Sequence, residues 1–145
     1  MHKTAVIYWS GTGNTEAMAM AVLEGAKEIN PEAIVFNVSE ISVSDALSYD
    51  TLILGCPAMG AEVLEEEEFE PFFHELENGL SGKNVALFGS YGWGDGEWMR
   101  DWTKRTALSG AKLVETEGFM INETPDAEGL ALCRALGKKA ASVSL

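Results

Sequence analysis

Residues 5–15 read Ala5-Val6-Ile7-Tyr8-Trp9-Ser10-Gly11-Thr12-Gly13-Asn14-Thr15, and a helical pattern then runs on to Ile29. The first four side chains are apolar or aromatic without a break. That suits a strand buried on both faces of a sheet. A turn rich in glycine and hydroxyls follows. The stretch 15–29 then sets Ala17, Met18, Ala21, Val22, Gly25 and Ala26 at helical spacing, which marks one buried helix face. Strand, glycine turn, helix is the opening unit of a parallel α/β sheet.

The same alternation continues along the chain. Stretches 34–38, 51–56, 85–88 and 112–116 read as further strands, and Thr51-Leu52-Ile53-Leu54-Gly55-Cys56 and Val85-Ala86-Leu87-Phe88 are again almost wholly apolar. Helical patterns occupy 68–76, 97–108 and 126–142, with a short one at 42–49. Phe69, Phe72, Phe73 and Leu76 mark the inner face of the third helix. No repeat, linker or low-complexity tract interrupts the order. The expectation is one domain over residues 1–145, of α/β class, with a doubly wound five-stranded parallel sheet. Right-handed crossovers put all strand C-terminal ends on one edge.

The chain has 145 residues, with 10 Lys+Arg against 23 Asp+Glu and a net charge of −13. Such a charge disfavours nucleic acid, whose phosphates demand clustered cations, and equally disfavours anionic membranes. Apolar residues make up 46%, so the charge does not signal disorder. No apolar run is long enough to span a bilayer. The stretch Met1-His2-Lys3-Thr4 lacks the features of a signal peptide. Cys56 and Cys133 have no metal-ligand spacing. Together these features predict a cytoplasmic protein with two reduced, buried thiols. His2 and His74 have no triad partner in the sequence and read as surface residues.

Ligands in doubly wound sheets bind beyond the strand C-terminal ends. The first such loop, Ser10 to Thr15, crowds three hydroxyls and an amide at a helix N-terminus, where free N–H groups favour an anion. It has no Lys or Arg, so it is neither a P-loop nor a dinucleotide fingerprint. It suits one terminal phosphate held by hydrogen bonds alone. The plainer reading is a helix cap supplied by Thr12 or Asn14. The second loop is Pro57-Ala58-Met59-Gly60-Ala61-Glu62, and the third is Ser90-Tyr91-Gly92-Trp93-Gly94-Asp95-Gly96. A Met loop and a Trp loop beside a phosphate loop could grip a planar ring. Trp93 could otherwise cover the sheet edge. A fourth loop, 120–125, is a weaker candidate. Trp9, Trp98 and Trp102 read as packing residues.

Tyr8-Trp9-Ser10-Gly11-Thr12-Gly13-Asn14-Thr15, Ala58-Met59-Gly60 and Gly89-Ser90-Tyr91-Gly92-Trp93-Gly94 together resemble the flavodoxins, most closely their short-chain, anaerobe-type members. The resemblance spans essentially the whole chain. It implies strand order 2-1-3-4-5 (the family is among the folds that illustrate the strand-end rule), one noncovalent FMN, and low-potential transfer of single electrons between redox enzymes rather than catalysis. No loop splitting the fifth strand, as in long-chain members, is expected at this length. By resemblance, Ser10, Thr12, Asn14 and Thr15, with the backbone of Gly11 and Gly13, would hold the phosphate. Met59 would lie on the inner face of the flavin ring and Trp93 on the outer. The backbone of Gly60, Ala61 and Glu62, preceded by Pro57 and Ala58, would meet one ring edge. Ser90, Tyr91, Gly92 and Gly94 would meet the pyrimidine side, and Asn122 would contact the ligand from the last loop. Ala61 stands where many relatives carry Gly, Asp, Asn or Ser. In the family, reduction flips the peptide before it and calls for positive φ there, at about 1–2 kcal/mol for Ala.

Charge is segregated. Between Glu28 and Gly82 there are 13 acidic residues and no Lys or Arg. The run Glu65-Glu66-Glu67-Glu68 reads as a solvated helix start, or as part of an acidic surface that docks basic redox proteins. A monomer is expected. The competing enzyme reading is an FMN-dependent NAD(P)H or quinone reductase on the same fold, against which a ring covered by Trp93 argues. A phospho-receiver would need paired acids after strands 1 and 3, where Tyr8-Trp9-Ser10 and Cys56-Pro57 stand instead.

Overall fold

The computed structural model describes residues 2–143. Strands β1 (Thr4–Tyr8), β2 (Ile34–Asn37), β3 (Thr51–Gly55), β4 (Asn84–Tyr91), β5 (Lys112–Leu113) and β6 (Phe119–Asn122) alternate with helices α1 (Asn14–Ile29), α2 (Val43–Ala46), α3 (Phe69–Leu76), α4 (Glu97–Leu108) and α5 (Ala127–Ser142). The sheet order is β2-β1-β3-β4-β5, with β6 also on β4. Every pairing is parallel. β5 and β6 share the fifth place, so the five-position parallel sheet read from the sequence is present.

Every residue of β1 and β3 is buried, as their unbroken apolar character requires. Alternate side chains feed two cores. Ile7, Leu52, Leu54 and Leu87 pack with Phe69, Phe73, Trp98 and Trp102 of α3 and α4. Val6, Ile53, Ala86 and Phe88 pack with Met18 and Val22 of α1 and Cys133 and Leu136 of α5 on the other face. The two free cysteines are both buried and lie one in each core. Burial pushes both thiols up, Cys133 to about 12, so neither is a thiolate near neutral pH. All four predicted inner-face residues of α3 are buried.

The fifth strand differs from its sequence reading. It stops at Leu113, and its second half, 119–122, falls where a loop was expected. The chain steps from Leu113 to Phe119 while β4 steps only from Val85 to Phe88, so residues 114–118 bulge out. The segment Glu115-Thr116-Glu117-Gly118 is too polar to lie in a covered strand. The short apolar run Phe119-Met120-Ile121 is what re-enters the sheet. The bulge of five residues is no inserted loop, in keeping with the expectation from length. His2 is another correction. It is half-buried, and its Nε2 lies 2.5 Å from the Thr51 hydroxyl. His74 is exposed as expected, 3.6 Å from Glu77.

Candidate functional site

The loop after β1 delivers the chain into α1 through Gly13, which takes φ 98°. That left-handed geometry lies outside the comfortable range of other residues. Gly13 is the N-cap and no side chain caps the helix, which corrects the reading of Thr12 or Asn14 as cap. The hydroxyls instead stiffen the loop. Ser10 Oγ accepts from the Gly13 N–H at 3.1 Å, and Thr12 Oγ1 from the Asn14 N–H at 3.4 Å. Glu16, an acid in the first turn, accepts from the Tyr8 hydroxyl at 2.9 Å. Burial, with Glu16 beside it, pushes the Tyr8 phenol up. The helix N-terminus thus retains donors for an anion.

Thr15 is buried, and its hydroxyl lies 3.0 Å from that of Ser90. This contact joins the first loop to the end of β4. The second loop is tied to the same strand end, because the Ala58 N–H donates to the Ser90 carbonyl at 3.0 Å. Met59 and Val63 exchange both backbone hydrogen bonds, at 2.8 and 3.0 Å, and close a tight loop. Positive φ falls at Gly60 (49°) and Glu62 (55°). Ala61 stays outside the left-handed region. The third loop is held from the last. Asn122 Nδ2 donates to the carbonyls of Tyr91 and Gly92, each at 3.2 Å, and the Glu123 N–H donates to Tyr91 at 2.7 Å. In this arrangement the Asn122 side chain braces the loop.

These loops enclose a cleft of about 400 Å³, within the range of small-ligand sites. Gly11, Thr12 and Asn14 form one wall, Pro57, Ala58 and Met59 another, and Ser90, Tyr91 and Gly92 a third. Ser10, Gly13, Thr15, Gly60, Ala61, Glu62, Trp93, Gly94 and Asn122 are not part of the wall. Trp93, on the loop that supplies the third wall, has 66% of its surface exposed, and Met59 is 38% exposed. Large apolar side chains so exposed are available to a planar group.

Three wall residues were missed from the sequence. Trp9 packs against the core, as read, but it also lines the wall, and its Nε1 donates to Glu68 at 3.2 Å. Glu123 and Thr124 complete the wall, and their place in the flagged loop 120–125 was the available signal. Trp98 and Trp102 are buried packing residues, as read.

The acidic run also divides. Glu66, Glu67 and Glu68 are exposed, but Glu65 is 7% exposed. Its carboxylate accepts from the N–H groups of Glu67, Glu68 and Phe69, each at 2.8 Å. Glu65 is thus a cap of α3 rather than a solvated or docking acid. Glu65→Ala should lower stability by about 2–3 kcal/mol, since it removes three hydrogen bonds to a charged group and strands the buried Phe69 N–H. Glu65→Gln should cost roughly half as much, because one retained oxygen can still accept two of the three bonds. Urea unfolding measures both, and equal stability of the alanine variant and the parent would refute the cap.

The family model for flavodoxin matches residues 6–137. The chain belongs to the flavodoxin family. It is 51% identical to a flavodoxin of Clostridium beijerinckii over 95% of this chain and 99% of that protein. It is 46% identical to a flavodoxin of Megasphaera elsdenii over 94% and 96%. The solution structure of two-electron reduced Megasphaera elsdenii flavodoxin superposes with a TM-score of 0.85 at 45% identity, over 97% of this chain and 99% of that one. As a flavodoxin, the chain has the short form throughout, and the cleft lies at the strand ends where the family resemblance predicts the cofactor.

Proposed function

We infer that this flavodoxin binds one FMN noncovalently in the cleft and carries single electrons between redox enzymes. The observation that carries this reading is the union, in one cleft, of an uncapped helix N-terminus with hydroxyl donors and of loops presenting Met59 and Trp93. The residues fit the group. Ser10, Thr12 and Asn14, with the N–H groups opening α1, suit its phosphate. Met59 suits the inner ring face and Trp93 the outer, while the backbone of loops 57–62 and 90–94 suits the polar ring edge. FMN supplies the redox chemistry. The protein binds the phosphate, orients the ring and surrounds it with negative charge. Nearby carboxylates disfavour further negative charge on the bound ring, which lowers the potential of the second electron.

Residues 1–145 act as one FMN-binding domain in this reading, a cytoplasmic monomer that is a carrier and not an enzyme. Among the described residues no helix is long and apolar enough to cross a membrane. FMN-loaded protein mixed with NAD(P)H should show no useful oxidation rate, and rapid turnover would assign it to the reductases instead.

The partners are basic redox proteins. Exposed Glu66 and Glu67 lie on the chain between the second loop and α3, so their field would steer a cationic partner towards the ring edge. Asp95 contributes less, because the Arg100 guanidinium 2.9 Å away offsets its charge. Electron transfer to a basic partner should slow as salt rises, over a screening length of roughly 8–10 Å near physiological ionic strength. The pair Glu66→Gln and Glu67→Gln should flatten that dependence without loss of stability. An unchanged salt slope in stopped-flow traces would leave these acids a solvated face only.

A further inference from the structure

The second loop leaves β3 through Cys56 and Pro57. Proline has no N–H, so the peptide between them offers only a carbonyl by which the base of the loop can be held. That carbonyl has a buried partner. The indole N–H of Trp98, in the first turn of α4, donates to it at 3.2 Å, and Trp98 is 1% exposed. Gly89 of β4 makes room for the contact. A Cβ built there would lie 2.1 Å from the Cys56 oxygen and 3.1 Å from Cζ2 of the indole. The far end of the loop returns to the same residue, since the Glu65 N–H donates to Cys56 Sγ at 3.4 Å. The Trp98 ring also lies 5.6 Å from that of Tyr91, in the third loop.

We propose that Trp98 is a positioning residue for the flavin site, whose indole N–H holds the base of the second loop through the Cys56 carbonyl. This rests on the FMN reading above. Burial alone does not aim an indole. Trp102 is equally buried in the same core, and its Nε1 has no partner among the described residues. The Trp98 N–H instead meets the residue from which the loop departs. Beyond that point Met59 and Val63 close the loop on itself, so it moves as one body about its base. A buried carbonyl stripped of its donor is costly. Without the indole N–H it would turn towards another partner and carry the loop, with Met59, away from the ring. The third loop runs directly into α4, so one buried side chain stands at the base of one ring-facing loop and at the exit of the other.

Two changes at this position separate the N–H from the packing. Trp98→Phe removes the N–H and part of the ring. Trp98→benzothienylalanine, incorporated at this site alone, puts sulfur in place of the N–H and keeps the shape of the indole. In FMN-free protein the Ala58 amide, which donates to Ser90 at 3.0 Å, should exchange faster by about tenfold in both variants. Amides of Val6 and Ile53 in the sheet should keep their protection, which separates a local change from a loss of stability. Affinity for FMN and for riboflavin should fall alike, several-fold, because the second loop meets the ring that both flavins share. The isosteric variant decides the matter where Trp98→Phe fails to fold. If it matches the parent in exchange and in flavin affinity, the indole only packs. Faster exchange with unchanged affinities would mean that the bond does not position the loop. A loss for FMN without a loss for riboflavin would mean that the effect does not reach the ring. Each of these results overturns the proposal. Failure of the unmodified protein to take up FMN would instead overturn the carrier reading on which it stands.

Discussion

Replacing Ser10 and Thr12 together by alanine is expected to weaken FMN binding on the order of 100-fold while leaving riboflavin affinity nearly unchanged. The two ligands differ only in the terminal phosphate. The loop has no cation, so hydrogen bonds and the helix N-terminus must supply its whole phosphate affinity. Each hydrogen bond to a charged group is worth roughly 1.5–3 kcal/mol, and two lost at the lower figure give about 3 kcal/mol, or slightly more than two decades in Kd. Ser10 and Thr12 are the informative pair. Thr12 is exposed and Ser10 partly so, and their oxygens already accept from Gly13 and Asn14, which leaves each O–H to donate to a ligand. Thr15 is less useful because its hydroxyl is engaged with Ser90 beneath the loop. Fluorescence titration with both flavins decides the matter, and equal losses for FMN and riboflavin would place the phosphate elsewhere.

Gly25→Ala should destabilise the protein by about 2 kcal/mol or more, although in an exposed helix the same change would gain about 1 kcal/mol. The reversal comes from the contact between α1 and α5. A Cβ on Gly25 would sit 1.8 Å from the Arg134 carbonyl oxygen, and one on Gly137 would sit 1.9 Å from that of Val22. Backbone meets backbone at both points, so no side chain can swing aside and the helices must separate. Gly137→Ala should behave alike. The double variant should cost less than the sum, because one separation relieves both clashes. Neutral or stabilised variants in urea unfolding would contradict close contact of the two helices.

The first, third and fourth strands were legible because burial on both faces leaves an uninterrupted apolar signature. α1 and α4 were legible because they combine periodicity with glycine-marked starts. The fifth strand was not, since only Phe119-Met120-Ile121 marks its second half and a polar bulge hides the continuity. Two of the site's loops announced themselves through glycine and hydroxyl content, and the third through Trp93 between two glycines. What stayed hidden was side-chain direction. Glu65 and Glu66 are adjacent and identical in type, yet one is buried against three N–H groups and the other is exposed. No local pattern separates them, because the difference arises where the chain turns into α3. The place of Trp9 in the cleft wall, beside its packing role, was hidden for the same reason. Its indole reaches Glu68 across the fold, a contact that sequence spacing does not encode.

The central claim is that these loops hold FMN in a site that separates its two electrons and lowers the potential of the second. An anaerobic potentiometric titration of the FMN-loaded protein, followed in the visible spectrum, tests it most directly. Two resolved one-electron steps are expected, with the second below the corresponding potential of free FMN, because negative charge on the ring meets an acidic, partly desolvated site. A single two-electron step at the potential of free FMN would contradict the account.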